Sequence, residues 1–177
     1  MHIEEIIDRL KKDEPVLAPP IEMGVEGLPP MSFSSHFSSD GATRDEFAVL
    51  RDECPPHLIT FWNIARTACL FEDEEYGQWG LMILSPHQAI EETVSKRNQR
   101  PQHFIDGDLV IGRFLGDSDS LIIRCNKHAQ DFGRLIVALP IDPRSEWYSV
   151  AESFEAFLER YTECGGRKYW EEDKGGG

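Results

Sequence analysis

The sequence predicts one α+β domain, in which an antiparallel sheet formed by a meander of strands is flanked on one side by helices. Segments near both ends of the chain carry apolar residues at the i, i+3, i+4, i+7 spacing of a buried helix face. Between them, short apolar segments alternate with turn residues, as in strands joined by tight turns. A chain of 177 residues can bury one hydrophobic core, so a single folding unit is expected.

Apolar periodicity and capping residues predict five helices. The first covers residues 2–12, and a capping box at residues 43–46 predicts a short second helix that ends near Asp52. The third begins at the Pro55-Pro56 pair and ends near Arg66. Its buried face would consist of Leu58, Phe61, Trp62 and Ala65.

Two further capping boxes predict the remaining helices. The first, at residues 85–88, begins a helix that ends near Lys96, with Ile90, Val94 and Ala89 as its inward-facing residues. The second, at residues 149–152, begins the last helix. Its apolar face would consist of Phe154, Phe157, Leu158 and Tyr161.

The strands are predicted from short apolar or alternating segments. Residues 80–84 form one strand, residues 108–114 and 121–125 form a hairpin around a Gly-Asp-Ser turn, and residues 134–141 form the last.

Three regions follow from these elements. Residues 1–41 combine the first helix with a Pro/Gly/Ser-rich irregular arm, residues 42–170 form the α+β domain, and residues 171–177 form a disordered tail. A disordered linker is the alternative for the arm. Its large apolar residues favour some docking on the domain, and they are Leu28, Met31, Phe33 and Phe37.

The charge balance limits the classes of partner. The chain has 32 acidic against 18 basic residues and a formal net charge of −14. Such a surface repels nucleic acids and anionic membranes and attracts basic proteins. The alternative is that the acidity serves only solubility.

The N-terminal residues and the cysteines favour a cytoplasmic protein. The first residues lack the basic and apolar regions of a signal peptide, and no apolar run has the length of a membrane span. The cysteines are far apart, which is typical of buried reduced thiols rather than of a zinc site or a disulfide framework. They are Cys54, Cys69, Cys125 and Cys164.

No catalytic, metal or cofactor site is expected. The Asp117-Ser-Asp119-Ser sequence resembles the start of a calcium loop, but positions six and twelve are Ile122 and His128 instead of Gly and Glu. The histidines form no metal-binding pattern. Cys69 paired with a distant histidine is a conceivable nucleophile, although its apolar neighbours favour an inert thiol.

The acidic run of residues 72–75 is the leading candidate for a partner-binding surface. Four adjacent acids are not expected to be buried together, and Tyr76 and Trp79 follow as aromatic anchors. A solvated loop without function is the alternative. The complete predicted contact set is Glu72, Asp73, Glu74, Glu75, Tyr76, Trp79, Asp117 and Asp119. Trp62 and Trp147 are expected in the core instead.

The order of these motifs resembles the SUKH superfamily, which includes bacterial immunity proteins and a eukaryotic regulator of cell-wall synthesis. Four segments carry the resemblance, CPPHLITFW, ACLFEDEEYGQWGLMIL, GDLVIGRFLGDSDSLII and SVAESFEAFLERY, within residues 42–169. The chain departs from the family where an Asn-Gly turn usually follows the Pro-led helix, because residues 65–68 read Ala-Arg-Thr-Ala.

The resemblance implies a non-enzymatic α+β domain that neutralises a cognate toxin, and such toxins are often basic nucleases. Two alternatives remain. The first is a regulatory or scaffolding module that binds other proteins, and the second is a small hydrolase that uses Cys69 or a histidine.

Overall fold

The computed structural model describes residues 2–12, 16–18, 31–50 and 52–172. Within these residues, eight strands form one antiparallel sheet in which spatial order follows chain order. The strands are β1 (Val16–Ala18), β2 (Met31–Phe37), β3 (Ala68–Asp73), β4 (Leu81–Ile83), β5 (Asp108–Phe114), β6 (Ser120–Arg124), β7 (Leu135–Ala138) and β8 (Tyr148–Ala151). The helices are α1 (Ile3–Lys12), α2 (Pro56–Ile64), α3 (Pro86–Gln99), α4 (Phe154–Glu163) and α5 (Tyr169–Glu172). The predicted α+β fold with a strand meander is confirmed.

One face of the sheet packs against the aromatic residues of α4 and α5. Leu81 of β4 lies directly opposite Phe114 of β5, so both side chains share a face. The Phe114 ring contacts Tyr161 of α4 and Trp170 of α5, with centroids 6.4 and 5.4 Å away. Trp62 and Trp147 are buried, as predicted.

The opposite face of the sheet is covered in part by α3. Met82, Arg113 and Ser120 lie side by side across β4, β5 and β6, and they line a groove together with Glu92 and Lys96 of α3. All five residues of β6 are buried, which requires cover on both faces because successive side chains alternate. The expectation of helices on one side only is therefore wrong.

α1 and α2 fit their predictions. The four apolar residues of α1 are buried, and α1 contacts both α2 and α4. α2 buries Leu58, Phe61 and Trp62, and the Trp62 indole donates a hydrogen bond to the Leu84 carbonyl at 2.9 Å.

No helix forms in residues 43–50 and 52, which are the described part of the predicted second helix. Residues 44–50 form turns, in which Glu46 N–H donates to Thr43 O and Leu50 N–H to Phe47 O. The Glu46 carboxylate accepts from the Thr43 backbone and hydroxyl at 2.8 and 3.0 Å. These local capping contacts form without a helix because so short a segment gains too few helical hydrogen bonds.

The capping box predicted at residues 149–152 is also wrong. Residues 148–151 form β8, and α4 begins after Ser153, whose hydroxyl accepts from Ala156 N–H at 3.1 Å. These residues form a strand instead of a helix start because their backbone pairs with β7.

β3 was not among the predicted strands, and its last two residues, Glu72 and Asp73, belong to the predicted acidic run. It pairs with β2 on one side and β4 on the other, so tertiary pairing overrides the local preference of its acidic residues. β2 lies in the predicted irregular arm and buries Phe33, whereas Leu28 lies outside the described residues.

The prediction for α3 is confirmed for its capping box and for the burial of Ala89, but it is wrong for Ile90 and Val94. Val94 is 54% exposed and Ile90 is partly exposed, while Ala89 and Thr93 are buried. The Thr93 hydroxyl donates to Ala89 O at 2.6 Å and accepts from Val110 N–H at 2.8 Å. Small residues on this face allow α3 to approach β5 closely.

The disordered tail was predicted to begin at residue 171, but α5 includes the first two residues of that range. Glu171 and Glu172 belong to α5, whereas residues 173–177 lie outside the described part of the chain.

Candidate functional site

The acidic turn, defined as residues 72–79, joins β3 to β4 and combines buried with exposed carboxylates. Asp73 is only 2% exposed and ends β3. Its Oδ1 accepts from Glu75 N–H at 2.9 Å, and its carbonyl accepts from Gly77 N–H at 3.0 Å. Its Oδ2 is buried without a hydrogen-bond partner among the described residues. Asp73 therefore shapes the turn from inside.

The other acids of this turn face solvent. Glu74 and Glu75 are exposed, and Glu72 is partly exposed opposite Ser34 of β2. The Ser32 hydroxyl donates to Glu74 at 2.8 Å, and hydrogen bonds from Ser32 and Ser34 lower the pKa of Glu74. Glu74 therefore carries a stable negative charge at neutral pH.

The two aromatic residues of the turn have different environments. Tyr76 is 61% exposed, and a hydrogen bond with Glu75 raises the pKa of its hydroxyl. Trp79 is half-buried against the core, and its indole N–H donates to Gly166 O at 3.2 Å. Tyr76 is thus accessible to a partner, whereas Trp79 anchors the turn to the C-terminal segment.

The β5–β6 turn carries Asp117 and Asp119, and both pair with Lys168. The Lys168 ammonium lies 2.9 Å from Asp119 and also contacts Asp117. Burial alone would lower the pKa of Lys168, but its hydrogen bonds to these carboxylates raise it. Asp119 is 7% exposed, whereas the Asp117 side chain remains 39% exposed. One cation thus partly neutralises this turn.

The two acidic turns lie beside each other at one end of the sheet. Leu115 N–H donates to Gly80 O at 2.9 Å, and Gly116 passes so close to Gln78 that a Cβ atom would lie 1.8 Å from the Gln78 carbonyl oxygen. This sheet end brings together the accessible members of the predicted contact set, which are Glu72, Glu74, Glu75, Tyr76 and Asp117. Asp73 and Asp119 are buried, and Trp79 is half-buried.

A groove of about 400 Å³ borders this end of the sheet, and it was not predicted from the sequence. Its lining includes Arg113, Glu92 and Lys96, as well as residues of the β5–β6 turn. Arg113 is exposed within an otherwise buried strand. Arg113 interrupts the apolar residues 109–114 of this segment, and that interruption was the sequence signal for the groove.

A buried ion network lies elsewhere in the sheet, and it was also not predicted. The Asp108 side chain is fully buried and accepts from Arg124 at 2.7 Å and from Arg144 at 2.6 and 3.1 Å. Arg124 also pairs with Asp131 at 2.9 Å. The network connects β5, β6 and the loops after β6 and β7, so it has a structural role.

The chemistry of the described residues does not favour the hydrolase alternative. The pKa of Cys69 is raised to about 12, mainly by burial and further by Glu72, which contributes its negative charge and a hydrogen bond. A thiol with this pKa supplies almost no thiolate nucleophile at neutral pH. His57 and His87 lie near surface glutamates, at 3.7 Å from Glu155 and 3.1 Å from Glu91.

Two absences in the described part of the chain concern metal ions and membranes. No group of three or more His, Cys, Asp or Glu side chains there has the geometry to hold a metal ion. None of the helices in these residues combines the length and apolar character needed to cross a bilayer.

The comparisons with known proteins identify the family. A family model described as SMI1/KNR4 (SUKH-1) matches residues 50–160, which include α2 and both acidic turns. Proteins of this family are generally non-enzymatic immunity proteins or regulators. A comparison with curated proteins found no match. Because the family model covers more than half of the chain, this protein belongs to the SMI1/KNR4 (SUKH-1) family, in agreement with the resemblance of its motifs.

Proposed function

We propose that this protein is a cytoplasmic immunity protein that binds and neutralises a cognate toxin, a basic nuclease, through the acidic end of its sheet. The observation that carries the proposal is the cluster of accessible carboxylates around Tyr76 on a domain of an immunity-protein family.

The electrostatics of a nuclease support this choice of partner. A nuclease holds phosphates with Lys and Arg side chains, so its active face is basic. The side chains of Glu72, Glu74 and Glu75 present negative charge at one place on a chain with a net charge of −14. Complementary potentials accelerate encounter and fix the orientation of the two proteins.

The eight residues of the contact set have two roles in this proposal. Glu72, Glu74, Glu75, Tyr76 and Asp117 contact the toxin, with Tyr76 as the aromatic anchor at the centre. The other three members hold the two turns in position, and they are the buried Asp73 and Asp119 and the half-buried Trp79.

A matched pair of charge-reversal variants tests the proposal. Glu74→Lys/Glu75→Lys changes exposed residues of the acidic turn, and Asp45→Lys/Asp52→Lys changes two exposed acids in the connection between β2 and α2. Connections in a meander alternate between the two sheet ends, so the control lies at the opposite end. Both variants change the net charge equally, which separates a local contact from overall acidity.

The measurement is retention of a host protein on each immobilised variant, identified by mass spectrometry, followed by co-expression and a nuclease assay with that protein. We expect the wild type and the Asp45/Asp52 variant to retain one basic nuclease and inhibit it. The Glu74/Glu75 variant should lose both properties. Equal retention by all three proteins would contradict the proposed surface, and partners without toxic activity would contradict the immunity function.

A regulatory or scaffolding module is the second candidate, and an apolar patch favours it. Val49 and Val94 are 76% and 54% exposed, and both line a groove of about 300 Å³ with Leu50 and Ile90. Clustered exposed apolar residues often mark protein contacts. Retention of signalling or cell-wall proteins that is lost in Val94→Asp, but kept in the Glu74/Glu75 variant, would support this function.

A further inference from the structure

Two cysteines that are distant in sequence meet inside the protein. Cys54 and Cys125 are separated by 71 positions, yet their Sγ atoms lie 3.6 Å apart. Both are free thiols, 5% and 8% exposed, and the Cys125 thiol donates a hydrogen bond to Cys54 Sγ. Neither takes part in the acidic sheet end.

The two cysteines lie on different kinds of backbone, one next to a strand and the other in an irregular turn. Cys125 directly follows β6, and its N–H donates to Gly107 O at 2.6 Å. Cys54 ends an irregular turn before α2, where its N–H donates to Leu50 O at 2.8 Å. A disulfide has an S–S length of about 2.05 Å, so the two sulfur atoms must approach by roughly 1.5 Å. A small adjustment of the turn that carries Cys54 supplies this movement without breaking a strand.

An opening connects the pair to the surface. Cys125 lines the groove of about 300 Å³ next to Val49, Leu50 and Thr93. A molecule as small as a peroxide fits a groove of this size, whereas Cys54 does not line it.

We propose that Cys54 and Cys125 are a disulfide-forming pair that a peroxide oxidises. The peroxide transfers one oxygen atom to Cys125 Sγ, which becomes a sulfenic acid, and leaves as water or an alcohol. Cys54 Sγ then attacks the Cys125 sulfur, the S–O bond breaks, and a water molecule leaves with the Cys54 proton. The product links the turn before α2 to the end of β6 inside one chain.

The environment sets a slow rate for this reaction. The hydrogen bond to Cys54 and burial both raise the pKa of the Cys125 thiol, so the reactive thiolate is scarce. Oxidation should therefore take much longer than for a solvated cysteine at the same pH, and the product should persist until a reductant is added.

The experiment uses the full chain with Cys69→Ser/Cys164→Ser, which leaves only the proposed pair. Both replaced cysteines are partly exposed, so the substitutions spare the buried core. After native treatment with hydrogen peroxide, the tryptic peptides that contain Cys54 and Cys125 should be linked, with two hydrogen atoms lost. Closing a loop of this length should raise the unfolding midpoint by on the order of 10 °C, and dithiothreitol should reverse the shift.

Peptide mapping of the oxidised wild-type protein provides a second measurement if the double variant folds poorly. A Cys54–Cys125 linked peptide in either protein supports the proposal. Complete alkylation of both cysteines after peroxide treatment, accumulation of an intermolecular dimer, or terminal oxidation to sulfinic acid would overturn it. Cys54→Ala serves as the control, because it should give neither the linked peptide nor the rise in the midpoint.

Discussion

The buried ion network predicts a large loss of stability when the charge of Asp108 is removed without a change of shape. In Asp108→Asn, an amide replaces a carboxylate that accepts three hydrogen bonds from Arg124 and Arg144 and a fourth from Ile105 N–H at 2.9 Å. The substitution leaves the Arg124 guanidinium, whose side chain is 4% exposed, with only the partly exposed Asp131 as a carboxylate partner, and it removes the buried carboxylate that Arg144 contacts. Removing one partner of a buried pair costs about 4 kcal/mol of unfolding free energy.

The assay is urea denaturation, followed by circular dichroism and by tryptophan fluorescence, together with thermal unfolding. For a chain of this length, a loss of ~4 kcal/mol lowers the unfolding midpoint by about 10 °C. Asp131→Asn is the matched control, because it removes the same charge from the same Arg124 at a side chain that is 30% exposed. Its expected cost is about 1 kcal/mol.

Equal effects of the two Asn substitutions would refute the reasoning, because burial of Asp108 would then not determine the cost. A loss below ~1 kcal/mol for Asp108→Asn would show that the two arginines find other partners or solvent.

Three further predictions concern single residues. Burial raises the pKa of Asp131, but Arg124 lowers it more, so the folded pKa lies below the unfolded value of about 4. The Arg124–Asp131 pair therefore stabilises the fold above about pH 4, and this stabilisation is lost as the pH falls through the folded pKa. In an acid titration, Asp131→Asn should lose less unfolding free energy than the wild type. Gly116→Ala should cost about 3 kcal/mol in urea denaturation, because the residue has φ of +86° and its Cβ would collide with a neighbouring carbonyl. Gly77→Ala, at φ of +61° with only an ordinary 4.0 Å contact to Glu72 Oε1, should cost about 1 kcal/mol. Equal costs of the two substitutions would contradict the close approach of Gly116 to Gln78. Because the pKa of Cys69 is raised to about 12, the thiolate fraction of Cys69 at pH 8 should be about a thousandfold smaller than that of an ordinary cysteine. Alkylation of the native protein by iodoacetamide, followed by mass spectrometry, should therefore label Cys69 slowly. Rapid labelling of Cys69 would contradict this pKa.

Local pattern alone was sufficient for the helices whose signals are strong. α1 and α4 carry four apolar residues at helical spacing, and all of these residues are buried. The β5–β6 hairpin was predictable because its turn residues separate two apolar segments. Local pattern was insufficient where a helix signal covered residues that pair with another strand. The residues before Ser153 resemble a helix cap, but pairing with β7 makes them a strand.

The candidate site shows the same limit. Composition and order located the acidic residues, but adjacency in sequence says nothing about which carboxylates are accessible. Asp73 lies inside the turn, and Lys168 lies 49 positions from Asp119 in the chain yet compensates its charge. Arg113 is exposed and lines a groove together with Glu92 and Lys96 of α3, so its accessibility depends on how α3 packs on the sheet.

The sequence by itself determined the family, the α+β class, the amphipathic helices and the acidic character, because each depends on residue types, on their local spacing or on the order of segments along the chain. Only the tertiary structure decided the faces on which the helices lie, the pairing of Asp108 with two arginines and the approach of Cys54 to Cys125. These features depend on strand register and on loops that return to the sheet, and register is selected by the packing of the whole chain rather than by any one segment.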